Sequence, residues 1–177
     1  MTDLAVSATT RRIVLTGFMG SGKSTIGPML ARRLGWRFHD VDDVIESEAG
    51  TTIAKLFAQF GEPSFRDREH QTIARLAAED EMVLALGGGA IERAETRNLL
   101  LRTPGTLLVH LEVSLATTLA RCRGTENTRP ILADQANLTA RYQQRLPLYR
   151  LSHASIQVDA LKPRQVAMAV LDAAGLK

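Results

Sequence analysis

The stretch Gly17-Phe-Met-Gly-Ser-Gly-Lys-Ser-Thr25 decides how the rest of the chain is read. It fits G-x-x-x-x-G-K-[ST], with Gly17, Gly22, Lys23 and Ser24 in the fixed places. It follows the apolar run Ile13, Val14, Leu15 and precedes a helical pattern, the context that a phosphate-binding loop requires. Backbone N–H groups can wrap a polyphosphate only where no Cβ blocks close approach and some residues can take positive φ, and Gly17, Gly20 and Gly22 supply that freedom. The helix starting near Gly22 adds unpaired N-terminal amides and the positive end of its dipole. By this motif Lys23 reaches the β- and γ-phosphates and the Ser24 hydroxyl ligates Mg²⁺.

Outward from the loop, the pattern predicts an α/β domain. Residues 1 to 11 lack periodicity and read as a flexible leader. The continuous apolar run Ile13 to Thr16 suits a strand buried on both faces, and residues 23 to 34 a helix stopped by Gly35. A short strand from Arg37 to Asp40 delivers Asp40-Val-Asp-Asp43, and helix follows from about Val44. Thr51 or Thr52 caps a further helix, broken by Gly61-Glu-Pro63 and resumed to Glu79. Strands are expected at Met82 to Leu86, Thr106 to Leu111 and Ser155 to Val158. Helices are expected at 92 to 102, from Ser114 to Arg121, from a cap at Asn137 until Pro147 interrupts, and at 163 to 174. Cys122 to Ala136 reads as a loop long enough to be a mobile lid. Five strands alternating with helices imply one parallel sheet flanked by helices on both faces, with ligands beyond the carboxyl ends of the strands. The body of the domain is expected over residues 12 to 177.

The bulk properties narrow the partners. A length of 177 residues suits one domain, and 45% hydrophobic with 23% charged residues is ordinary globular composition. The net charge of +3 comes without a Lys/Arg tract, which speaks for anionic small molecules and against nucleic acid. Cys122 is the only cysteine, so no internal disulfide forms, and a reducing compartment follows. The four histidines lie far apart, which argues against zinc. With no apolar run of about 18 residues and no signal-peptide core, a soluble cytoplasmic protein, off the membrane, is expected.

A phosphate cradle needs an acceptor site on the same rim. Asp40 and Asp42 are candidates, because side chains two apart on an extended segment point the same way. One could help hold Mg²⁺ while the other faces an acceptor hydroxyl; equally, Asp42 or Asp43 caps the next helix. Gly87-Gly88-Gly89 after a strand is either a tight turn or a place where something comes close to the backbone. Most arginines sit on a solvated face. Arg129, however, lies in the expected lid, where it could supply charge to a transferred phosphoryl group, and Arg145 falls at the edge of the buried stripe of its helix.

Together these motifs resemble shikimate kinase from about Arg12 to the last helix: GFMGSGKST (17 to 25), D-V-D (40 to 42), F-R (65 and 66), GGGA (87 to 90), T-R-P-I-L (128 to 132) and R-L-P-L-Y (145 to 149). The resemblance implies a single-domain P-loop kinase fold and phosphoryl transfer from ATP, with Mg²⁺, to the 3-hydroxyl of shikimate in the pathway to chorismate. It implies ATP contacts from Gly20, Ser21, Gly22, Lys23, Ser24, Thr25 and Arg129, and metal contacts from Ser24 and Asp40. It gives substrate contacts to Asp42, Arg66, Gly88 and Arg145, and catalytic roles to Lys23, Asp42 and Arg129. A monomer is expected. One departure is Cys122, which stands where family members often carry an arginine stacked on adenine; another is Val158 to Pro163, shorter than the usual second wall of that pocket. The rival readings are a kinase of another small metabolite, such as gluconate, and a nucleotide-binding module without turnover.

Overall fold

The computed structural model describes residues 9 to 124 and 134 to 176. Its frame is a five-stranded, all-parallel sheet in the order β2-β3-β1-β4-β5, formed by β1 (Arg12–Thr16), β2 (Arg37–Asp40), β3 (Met82–Ala85), β4 (Thr106–Glu112) and β5 (Ala154–Gln157). The central strands are buried along their whole length, as their unbroken apolar runs require. At the end of β1 away from the loop, buried Arg12 is held by Asp80 at 2.6 Å and by the carbonyls of Glu79 and Pro104.

Among the described residues, seven α-helices cover the sheet: α1 (Lys23–Leu34), α2 (Val41–Ala49), α3 (Ile53–Leu76), α4 (Ala94–Arg102), α5 (Leu115–Cys122), α6 (Gln135–Tyr149) and α7 (Pro163–Ala174). A 3-10 turn, Ala90–Glu92, links β3 to α4 in place of the first turn of a helix starting at residue 92. Helix α1 starts on Gly22 in the left-handed region (φ 96°) and stops on left-handed Gly35. Within α3, Thr52 caps the first turn, and Gly61 (φ 79°, ψ 169°) breaks the helical path before Pro63.

Several expectations are corrected. Helix α2 begins at Val41, so Asp40 to Asp42 is not extended: the Asp40 carboxylate is the cap, accepting from the Asp42 N–H at 3.1 Å. Capping satisfies an orphan amide at once, and this outweighs one more residue of strand. Neither Asp42 nor Asp43 is the cap. Asp134, not Asn137, caps α6, accepting from the Asn137 N–H and side-chain amide. Pro147 does not interrupt α6, which runs on to Tyr149; the bond it forgoes is to the exposed Gln143 near the helix end, where the loss is cheap. Residues 10 and 11 are no loose leader: buried Thr10 donates to the Ala174 carbonyl at 2.9 Å and the Arg11 N–H to Gly105. Of the expected lid, residues 125 to 133 lie outside the described residues, Arg129 among them.

Candidate active site

Parallel pairing in register brings the chain past β1, β2 and β3 to one rim. Leu15 lies opposite Ala85, Asp40 opposite Ala85 on the other side, and the Leu86 N–H donates to the Leu15 carbonyl at 3.0 Å. A cleft of about 700 Å³ opens there, lined by the loop from Met19 to Ile26, by Asp40, Asp42, Leu86, Gly87, Gly88 and Arg145, and at its far end by Arg121, Cys122, Leu161 and Pro163.

On the loop side, the Lys23 ammonium donates to the carbonyls of Gly17 (2.7 Å) and Phe18 (3.3 Å) and to the Ser21 hydroxyl (3.3 Å). It lies across the concave face of its own loop, where phosphate oxygens belong. The Ser24 hydroxyl donates to Asp40 Oδ2 at 3.2 Å. This hydroxyl and carboxylate pair, oxygen donors only, fits Mg²⁺, which prefers oxygen ligands and keeps several waters.

On the acceptor side, the glycine triplet decides the geometry. None of the three takes positive φ, so no turn conformation demands glycine; the demand is for space. A methyl group on Gly87 would stand 2.8 Å from Asp42 Oδ1 and 2.9 Å from Glu69 Oε1. On Gly88 it would meet Arg145 Nη1 at 3.3 Å and the Tyr149 hydroxyl at 3.6 Å, with the Gly17 carbonyl at 4.0 Å. On Gly89 it would overlap the Arg66 guanidinium, 2.2 Å from Nη2. Asp42, Arg66, Gly88 and Arg145, expected together, therefore meet beside the Lys23 loop.

Two groups here were not singled out from the sequence. Glu69, buried, pairs with Arg66 Nη1 at 2.7 Å; its position three residues along α3 is the ion-pair spacing that could have revealed it. Glu92 Oε2 lies 3.2 Å from Arg145 Nη2 and 3.9 Å from Arg66 Nη2. Tyr149, seen only as the end of a motif, donates to the Gly88 carbonyl at 2.6 Å and stacks on buried His110, fixing the middle of the triplet. Among the described residues, Arg145 Nε and Glu69 Oε1 are buried without a hydrogen-bond partner. Of the two, Arg145 lines the cleft, so its unused donor marks a place for a polar ligand.

Burial pushes the Asp42 pKa up to about 6, with Asp40 adding to the rise and Lys23 and Arg66 opposing it. Burial likewise raises Glu69 to about 7, against the pull of Arg66. A carboxyl group poised near neutrality can accept and release a proton at working pH.

A cradle for phosphates next to a pocket of guanidinium and carboxylate groups has close relatives among known proteins. The family model described as shikimate kinase matches residues 19–174. The chain belongs to the shikimate kinase family. It is 42% identical to the shikimate kinase of Streptomyces avermitilis over 172 residues, covering 96% of this chain and 98% of the relative. With that of Pseudomonas syringae pv. syringae it shares 41% over 165 residues, covering 91% and 94%. Its fold superimposes on shikimate kinase from Acinetobacter baumannii in complex with shikimate at a TM-score of 0.85, with 36% identity over 93% of this chain and 92% of that one. It is therefore an enzyme of the phosphotransferase class with the P-loop kinase fold. No helix among the described residues is long and apolar enough to cross a membrane. In this member of the shikimate kinase family Arg121, one residue before Cys122, bridges the Gly20 and Val158 carbonyls at 2.9 and 3.2 Å, tying the loop to the cleft's far wall.

Proposed function

We propose that this protein transfers the γ-phosphoryl group of ATP to the 3-hydroxyl of shikimate, giving shikimate 3-phosphate and ADP on the way to chorismate. The observation that carries this reading is the crowding at Gly88, where the acceptor-side Arg145 and the phosphate-loop carbonyl of Gly17 both lie within 4.0 Å of one would-be methyl group. Donor and acceptor sites thus share a wall, as direct transfer between two bound substrates requires.

In this reading the loop amides from Gly20 to Thr25 hold the phosphates, and Lys23 turns from its own carbonyls to the β- and γ-oxygens. Ser24 and Asp40 would hold Mg²⁺, which neutralises charge on the transferring phosphate when bound. Arg66 and Arg145 pair with the acceptor carboxylate, and the Gly88 backbone binds alongside. Asp42, with its pKa near 6, is ionised at neutral pH and orients the 3-hydroxyl and takes its proton as the new P–O bond forms. Arg129 closes over the phosphates. The purine lies at the end of the cleft formed by Arg121, Leu161 and Pro163, where the guanidinium plane of Arg121 replaces the arginine absent at Cys122. The reading takes the protein as a monomer acting in the cytoplasm on small molecules, with neither nucleic acid nor membrane as partner.

The test is a coupled ADP-release assay run side by side with shikimate, with gluconate and with no acceptor. Release that depends on shikimate supports the reading. Equal release with gluconate moves the enzyme to another acceptor, and release with none of them, despite ATP binding, leaves a module without turnover.

A further inference from the structure

The pocket that would take the acceptor carboxylate already contains a carboxylate. A single oxygen, Glu92 Oε2, lies between Arg145 Nη2 (3.2 Å) and Arg66 Nη2 (3.9 Å). The side chains of both arginines are largely withdrawn from water, at 8% and 18% exposure, and two such cations facing one pocket need a counter-charge. For Arg66 it comes chiefly from Glu69 on Nη1 at 2.7 Å and from the exposed Glu62 on Nη2 at 3.2 Å, with Glu92 farther off. Among the described residues, Glu92 alone forms an ion pair with Arg145.

The mounting of Glu92 suits a temporary partner. Its backbone is fixed, because Arg97 Nη1 donates to the carbonyls of Ile91 at 2.7 Å and Glu92 at 2.8 Å. Its side chain, by contrast, is 27% exposed and can rotate outward without disturbing the turn that carries it. Glu69 lacks that freedom, at 3% exposure beneath the triplet.

We propose that Glu92 is a built-in stand-in for the acceptor's carboxylate. It holds Arg66 and Arg145 at their working separation in the free protein and yields its place when the acceptor binds. The inference rests on the acceptor site described above and adds a specificity-determining residue to it. An acceptor bearing a carboxylate replaces one ion pair with another. A neutral polyol cannot dislodge Glu92 and meets a pocket whose cations are occupied. Affinity for the true acceptor is held below its limit by the same competition, since its carboxylate approaches against a like charge.

The experiment compares wild type with Glu92→Gln, which keeps shape and removes charge. The KM for shikimate is expected to fall about fivefold, the scale of one partly exposed ion pair, while the KM for ATP stays put. In calorimetry without nucleotide, benzoate, a bare carboxylate probe, is expected to bind Glu92→Gln more tightly than wild type, and benzyl alcohol to show no such gain. A KM for shikimate that stays constant or rises, or benzoate binding that does not tighten, overturns the proposal and leaves Glu92 a fixed part of the scaffold. If Glu92→Gln does not fold, Glu92→Asp, which keeps the charge but loses one methylene of reach, is put through the same benzoate comparison, with the same direction expected. Wild-type protein inactive on shikimate would sink the acceptor assignment instead, and the benzoate comparison would still test Glu92.

Discussion

The two halves of the cleft recognise anions by opposite means. The phosphate side is built largely from consecutive backbone, with Lys23 folded onto the carbonyls of its own loop. The acceptor side is built from side chains of α2, α3, the turn after β3 and α6, and its two guanidinium groups are already balanced by Glu62, Glu69 and Glu92. A polyphosphate is large, multiply charged and common to many reactions, so a local, shape-based cradle suffices. A small hydroxy-acid offers one carboxylate and a few hydroxyls, and telling it from its neighbours takes groups brought together from distant parts of the chain. Backbone binds the common part of the reaction, and side chains bind the particular one.

Breaking the cradle should have the largest effect. Lys23→Ala is expected to lower kcat by about 10³-fold or more with little change in the thermal unfolding midpoint, because the residue acts on developing charge rather than on the core. Near-normal turnover would remove the loop lysine from the chemistry.

On the other side, Asp42→Asn should lower kcat/KM for shikimate by about 10²-fold. It should also raise the unfolding midpoint by about 2–4 °C at pH 8 in the absence of ligands. The sign follows from the direction of the shift. Asp42 and Glu69 both bind a proton more tightly in the folded chain than in the unfolded one. Their favourable contribution is therefore complete below their ordinary pKa values and is lost as pH rises through about 6 and about 7. At pH 5 folded wild-type Asp42 is already protonated, and the advantage of the asparagine should shrink. A variant no more stable than wild type at pH 8 would mean that the acceptor side stores no such strain.

Arg145→Ala should weaken shikimate binding by about 1.5–3 kcal/mol and leave ATP binding alone. Arg66→Ala should match it on binding and also lower stability, since it strips buried Glu69 of its cation. Titration calorimetry with each substrate separates the two, and a loss of ATP affinity equal to the loss of shikimate affinity would dissolve the division of labour. The mildest test is pH: kcat/KM for shikimate should decline about tenfold per unit below about 6, where Asp42 takes up its proton in the free enzyme. A flat profile down to pH 5 would leave Asp42 an orienting group that carries no proton.

The same division explains what could be read from sequence. Helix α1 starts at Lys23 and stops at Gly35, as its local signals say, because glycine geometry and chain direction fix both ends. Arg145 was legible from helical angle alone, and it is buried. Asp40 and Asp42 were legible as residues but not as geometry, since strand extension and helix capping compete at one aspartate and only the surroundings decide. Pro147 misled because its cost depends on which carbonyl is orphaned, and here that carbonyl is near the helix end. Glu92 gave no signal: its partner Arg145 lies 53 positions away, and nothing in a 3-10 turn announces a pairing at that range.

The break at Gly61 has a bearing on how this chain tolerates changes of length. Because the helical path is interrupted there, residues 53 to 60 and residues 62 to 76 turn on separate screws. A residue gained or lost before Gly61 can be absorbed at that joint. One inserted between Pro63 and Phe65 would swing Phe65, Arg66 and Glu69 by about 100° out of register with the triplet. Indels are thus expected to accumulate on one side of Gly61 and to be lethal to turnover on the other.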